Sequence, residues 1–187
     1  MFGFFKKKSK GELEAGNLSS AEELDQFIKN NPSEVTNLVA NKKFLNNLLC
    51  NPKTVEACGL VLNKNALDGN VQCQELISQM TQALAINTTD PNALKPLLEK
   101  IIKFGRLAAN NGSKIEMENL PKSLGRLAGL LVEQNGGTWC DDSIDNINES
   151  YQWYLKIVGD QRFNSKEKNF ANASSREYLQ NFGDILT

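Results

Sequence analysis

Apolar residues recur along this chain at spacings of three and four, and polar clusters that start and stop helices stand between them. The first run is SSAEELDQFIKNN (19–31). Ser20 is followed three residues later by Glu23, a capping box in which each side chain satisfies a backbone donor of the other. Leu24, Phe27 and Ile28 then make one apolar face. Three later starts use another device. Asn31-Pro32, Asn51-Pro52 and Asp90-Pro91 each set a capping side chain before a proline at the first helical position, where a missing N–H is tolerated. After Pro32 the pattern runs through Val35, Leu38, Val39, Leu45 and Leu49. After Pro52 it runs through Val55, Cys58 and Leu62 until NKNALDGN (63–70) breaks it. Cys73, Leu76, Ile77, Met80 and Leu84 form the next stripe, and Leu94, Leu97, Leu98, Ile101 and Ile102 the one after Pro91. That helix ends at Asn110-Asn111-Gly112, with the glycine suited to left-handed backbone. The following helix carries Leu120, Leu124, Leu127, Ala128 and Leu131 and stops at QNGG (134–137).

No segment alternates with a period of two, so the pattern predicts an all-α protein. Short connections between amphipathic helices favour stacked antiparallel hairpins, in a repeat-like array or an irregular bundle of about seven to eight helices. Residues 1–17 lack periodicity and contain Gly11 and Gly16. They read as a flexible basic and aromatic tail, leaving 18–187 as a single helical domain.

FGRLAANNG (104–112) and LGRLAGLLVEQNG (124–136) share Gly-Arg-Leu-Ala and a glycine-terminated polar end. Their twenty-residue offset is too short for a two-helix repeat, so they read as consecutive helices of one hairpin, with Gly and Ala allowing close approach. Arg106 and Arg126 are candidates for one surface that receives a carboxylate or phosphate; otherwise they are two solvated charges.

SYQWYLKIVGDQ (150–161) concentrates the aromatics. On a helix from about 143 to 158 with 3.6 residues per turn, Ile144, Ile147, Tyr151, Tyr154, Leu155 and Val158 share one face. Trp153 and Ile157 fall nearly opposite. Something must cover that second face. Burial is favoured, because leaving Trp in water forgoes several times the thermal energy. Tyr178, Phe182 and Leu186 of the C-terminal segment recur one turn apart and could supply the cover. Exposed instead, Trp153 and Ile157 would form a recognition patch with Trp139 in the preceding loop.

Residues 120–159 contain LGRLAGLLVEQNGG and ESYQWYLKIVG, which together resemble a tetratricopeptide-like helical repeat. The likeness rests on Leu124-Gly125 in the first helix, small Ser150 ahead of Trp153-Tyr154, and Gly159 close behind. It implies an adaptor whose concave surface holds a peptide or another protein, with no catalytic residues to carry over. The loop is longer than that family's, Ile157 and Val158 stand where alanines are usual, and no second full copy is visible.

Composition narrows the chemistry. Net charge is −1 with a pI near 5.6, so no global basic field exists for nucleic acid. Histidine is absent, which removes the usual general base near neutral pH and the commonest metal ligand. Cys50, Cys58, Cys73 and Cys140 contain no C-x-x-C pair and read as reduced structural thiols of a reducing, cytoplasmic compartment. The densest acidic cluster is CDDSIDNINE (140–149). Asp141, Ser143 and Asp145 imitate the first ligands of a calcium loop, but Asn146 and Gln152 replace its required glycine and glutamate. A helix start capped by Asp142 or Ser143 explains the cluster better. No glycine-rich segment has the order of a phosphate loop.

These residues predict a non-enzymatic helical module that binds another protein or peptide, with no cofactor and no metal. Its candidate contacts are Trp153, Ile157, Trp139, Arg106, Arg126, Asp141, Asp142 and Asp145. An immunity-type inhibitor that blocks a toxin with its carboxylates is one form of that reading. The alternative is a peripheral membrane module, in which Phe2, Phe4, Phe5, Lys6, Lys7 and Lys8 make weak contact with an anionic surface.

Overall fold

The structure, a computed structural model, describes residues 18, 20–40 and 52–186. The N-terminal Phe2, Phe4, Phe5, Lys6, Lys7 and Lys8 lie outside the described residues, as do Leu45, Leu49 and Cys50. Among the described residues there is no strand. The elements are α1 (Ala21–Asn30), a 3-10 helix (Pro32–Ala40), α2 (Pro52–Leu67), α3 (Val71–Ile86), α4 (Pro91–Asn110), α5 (Lys114–Gln134), α6 (Asp141–Gly159) and α7 (Ser165–Phe182). The all-α fold follows from the spacing of three and four. The chain divides into two compact units, Met1–Leu76 and Ile77–Thr187.

In the first unit, Ser20 Oγ accepts from the Glu23 backbone N–H at 3.2 Å, and Leu24, Phe27 and Ile28 are buried. The α-helix expected after Asn31-Pro32 is a 3-10 helix instead. Asn31 still serves the end of α1, its backbone N–H donating to the Phe27 carbonyl at 2.8 Å. Three residues per turn then put Val35 above Leu38, and both are fully buried. Continuing past the break expected at residue 63, α2 reaches Leu67, where Gly69 turns the chain at φ 96°. Asn65 Nδ2 links α2 to Asp25 of α1 at 2.9 Å, and Asn70 Oδ1 caps α3 by accepting from the Cys73 N–H at 2.9 Å. Cys58 and Cys73 are buried free thiols, and burial pushes Cys73 up to about 12.

The stripe expected on α3 is correct only in its first half. Cys73, Leu76 and Ile77 are buried, but Met80 and Leu84 are 41% and 62% exposed. Ser78, Thr81 and Ala85 are buried in their place, and Ser78 Oγ donates to the Glu116 carboxylate at 2.9 Å. Small side chains occupy the seam, and the larger apolar ones stand beside it.

The second unit is a run of antiparallel hairpins. Gly105 of α4 lies against Glu116 and Leu120 of α5, Pro121 of α5 against Ser150 of α6, and Ser150 against Tyr178 of α7. Asp90 caps α4 as expected, accepting from the Asn92 N–H at 3.0 Å, and Gly112 ends it at φ 95°. The next helix begins well before Leu120: Ser113 Oγ accepts from the Glu116 N–H at 3.1 Å, so Pro121 sits inside α5. Leu98, Ile101, Leu120, Leu124, Leu127 and Phe163 belong to one core with Trp153, Tyr154 and Ile157.

Candidate functional site

The first surprise lies on α6. Its fully buried residues are Ser143, Ile147, Ser150, Trp153, Tyr154 and Ile157. At about 100° per residue these span a single arc roughly 120° wide, from Trp153 at one edge to Ile147 at the other. The two apolar faces expected from the sequence are the shoulders of that one arc, and the serines fill its centre. Trp153 and Ile157 are 4% and 3% exposed: the favoured burial holds, and the alternative in which they form an exposed contact patch does not. Leu155, expected inside, is exposed.

The C-terminal helix covers the opposite shoulder. Tyr178 meets Tyr154 edge to face at 5.5 Å, Phe182 meets Tyr178 at 5.4 Å, and Trp139 meets Phe182 at 5.5 Å. Trp139 is therefore half-buried in an aromatic ladder. On the Trp153 side, Lys156 Nζ lies 3.9 Å over the indole, and the indole N–H donates to Glu149 Oε1 at 3.1 Å. Glu149 also receives both arms of Arg106, from Nε at 2.8 Å and Nη2 at 2.6 Å. Burial pushes the Glu149 carboxyl up, but hydrogen bonds from Arg106 and Trp153 outweigh it and hold the group below its usual value. Hydrogen bonding to Glu149 in turn raises Arg106.

Arg106 and Glu149 of this set line a cleft of about 260 Å³, together with Lys95 and Glu99 of α4, Leu127 and Leu131 of α5, and Asp142, Asp145 and Asn146 of α6. Three of the residues singled out in the sequence, Arg106, Asp142 and Asp145, converge here. Sequence reasoning missed Lys95, Glu99 and Glu149, although Lys95, Glu99 and Arg106 stand at helical spacing on α4 and Glu149 stands one turn before Trp153. The arginines do not share a surface: Arg126 Nη2 donates to the Ala85 carbonyl at 3.1 Å and lines a separate groove with Ile86 and Lys122. Asp141 is exposed outside the cleft.

The cap of α6 also differs from expectation. It is Cys140 and not Asp142 or Ser143, and Ser143 Oγ accepts from the Cys140 N–H at 2.9 Å while donating to its carbonyl at 2.7 Å. That use withdraws Ser143 from the calcium-like trio. Among the described residues, no group of three or more His, Cys, Asp or Glu side chains is placed to hold a metal ion.

The class these features define is an all-helical protein with a small, charged, apolar-floored cleft between three helices of its second unit. Comparison with known protein families, curated proteins and solved structures finds no match. Among the described residues no helix is long and apolar enough to cross a membrane.

Proposed function

We propose that this protein is a non-enzymatic binding module that receives an arginine or lysine side chain of a partner protein in the cleft between α4, α5 and α6. The cleft itself carries the reading. With Glu149 already neutralised by Arg106, Glu99, Asp142 and Asp145 face a single cation, Lys95, and leave an excess of two negative charges. Leu127 and Leu131 supply a floor for the aliphatic stem of a long cationic side chain, which buries its methylenes while its head stays polar. At about 260 Å³ the cleft is smaller than the roughly 300–1,000 Å³ sites that enclose whole small molecules, and it suits one side chain. The bidentate Arg106–Glu149 pair and the Trp153 N–H fix the wall in advance, so little ordering cost falls on binding.

The test is an NMR titration of the full chain with acetyl-Gly-Arg-Gly-amide and, separately, with its Gln counterpart. The Arg peptide is expected to shift amides around Asp142–Glu149 and Leu127–Leu131, less so at high salt. Asp142→Asn with Asp145→Asn should weaken that response several-fold. Equal shifts with the Gln peptide, or none with the Arg peptide, would overturn the reading.

A further inference from the structure

Beyond the cleft, α7 is held unlike its neighbours. It buries in full only Ala171 and Ser175, whereas α4 and α5 bury eight and nine residues. Phe170 and Leu179 on it remain 59% and 48% exposed. A groove of about 460 Å³ lies between its first half and the helices beneath, bounded by Tyr154, Ile157, Phe170 and Ala171. The first half of α7 therefore rests on the helices beneath along only part of its width.

Its two ends are held differently. The segment leading into α7 is fixed to the bundle: Phe163 is buried, and Arg162 Nη1 donates to the Gly112 carbonyl at 2.7 Å while pairing with Asp160. The far end is held by the ring ladder of Tyr154, Tyr178, Phe182 and Trp139, by Asn148 Nδ2 donating to the Ile185 carbonyl at 3.5 Å, and by one part-buried hydroxyl contact. Tyr178 Oη lies 2.5 Å from where a Cβ on Gly125 would stand, and 2.9 Å from Ser150 Oγ. Ser150 has one hydroxyl proton, which it donates to the Pro121 carbonyl at 2.8 Å, so Tyr178 is the donor to Ser150. Between these ends the Lys114–Glu167 ion pair is open to solvent and adds little.

We infer that α7 is a hinged lid that opens about residues 160–164 while α4, α5 and α6 stay folded, with the Tyr178–Ser150 hydroxyl pair as its latch. Opening uncovers Tyr154 and Ile157 on α6, an apolar face that is hidden while the latch is closed. The lid is independent of the charged cleft, which α7 does not line.

Hydrogen exchange of the full chain, read by mass spectrometry, tests this. Amides of α7 are expected to exchange at least about tenfold faster than those of 124–131 in α5, because local opening precedes global unfolding. Tyr178→Phe should speed α7 a further roughly twofold to tenfold, the worth of one hydrogen bond, and leave α5 unchanged. Gly125→Ala is the second variant: its methyl displaces the Tyr178 hydroxyl, yet alanine favours the α5 helix. It should speed α7 while α5 holds or slows. If α7 in the unaltered chain exchanges no faster than α4–α6, or if either variant speeds all helices alike, the lid is wrong.

Discussion

Ser150 separates what the hydrophobic pattern recommends from what the structure requires. It lies between the apolar shoulders of α6, so a pattern-based reading would replace it with leucine and expect a gain of about 1.5–3 kcal/mol from the buried side chain. That gain needs room. Ser150 is fully buried, with the Pro121 carbonyl at 2.8 Å and the Tyr178 hydroxyl at 2.9 Å. Ser150→Leu removes a hydrogen bond at a cost of about 1 kcal/mol and strands a half-buried tyrosine hydroxyl. It also forces extra carbons between packed helices, which costs about 1–3 kcal/mol. The expected net change is a loss of roughly 2–4 kcal/mol, and Ser150→Ala should lose only about 1. Urea unfolding followed by tryptophan fluorescence suits the measurement, since Trp139 and Trp153 both lie in the second unit. With a slope of about 1–3 kcal/mol per molar urea, the leucine variant should unfold roughly 0.7–4 M earlier. A leucine variant as stable as the unaltered chain would refute the close seam on which this reasoning rests.

Glycine substitutions should split in sign. Gly129→Ala meets nothing within 4 Å and should stabilise α5 by about 1 kcal/mol, whereas Gly105→Ala places a methyl 2.9 Å from the buried Glu116 carboxylate and should destabilise by about 1–3 kcal/mol in the same urea assay. Glu149 has a lowered folded-state value, so its contribution is present above its ordinary 4.5 and is lost as pH falls through the folded value. Glu149→Gln should therefore lower the melting temperature at pH 7, with the gap closing as both proteins are measured toward pH 3; a constant gap would count against the Arg106 and Trp153 contacts. Acrylamide should quench Trp139 more readily than the blue, protected Trp153, and the easily quenched component should survive in Trp153→Phe.

The elements were legible wherever helix punctuation is local. Ser20, Asp90 and Gly112 act within a few residues of themselves, so their roles follow from spacing alone. Faces were less legible, because the facing helix decides which stripe is buried. On α3 and α6 the seam is carried by Ser78, Ser143 and Ser150, residues that a hydrophobic pattern scores as surface. Small polar side chains permit close approach and find partners across the seam, Ser78 with Glu116 and Ser150 with Pro121. Half of the cleft was legible for the same reason: Arg106, Asp142 and Asp145 are charged wherever they fall, but which of them meet is a long-range fact.

The twin Gly-Arg-Leu-Ala segments make this argument most sharply. Identical tetrapeptides on consecutive helices invite the idea of identical roles, and each glycine does let another side chain approach. Gly105 admits the Glu116 carboxylate from the next helix, and Gly125 admits the Tyr178 hydroxyl from a helix two further on. The arginines one residue later diverge altogether. Arg106 holds Glu149 with two hydrogen bonds and walls the cleft, while Arg126 gives one to the Ala85 carbonyl. The tetrapeptide sets a local property, a gap on the helix surface beside a long cationic arm. What fills the gap, and what the arm reaches, belongs to the neighbouring helix. A second copy of a motif is therefore evidence of similar packing geometry, and evidence of similar function only where the neighbours also repeat.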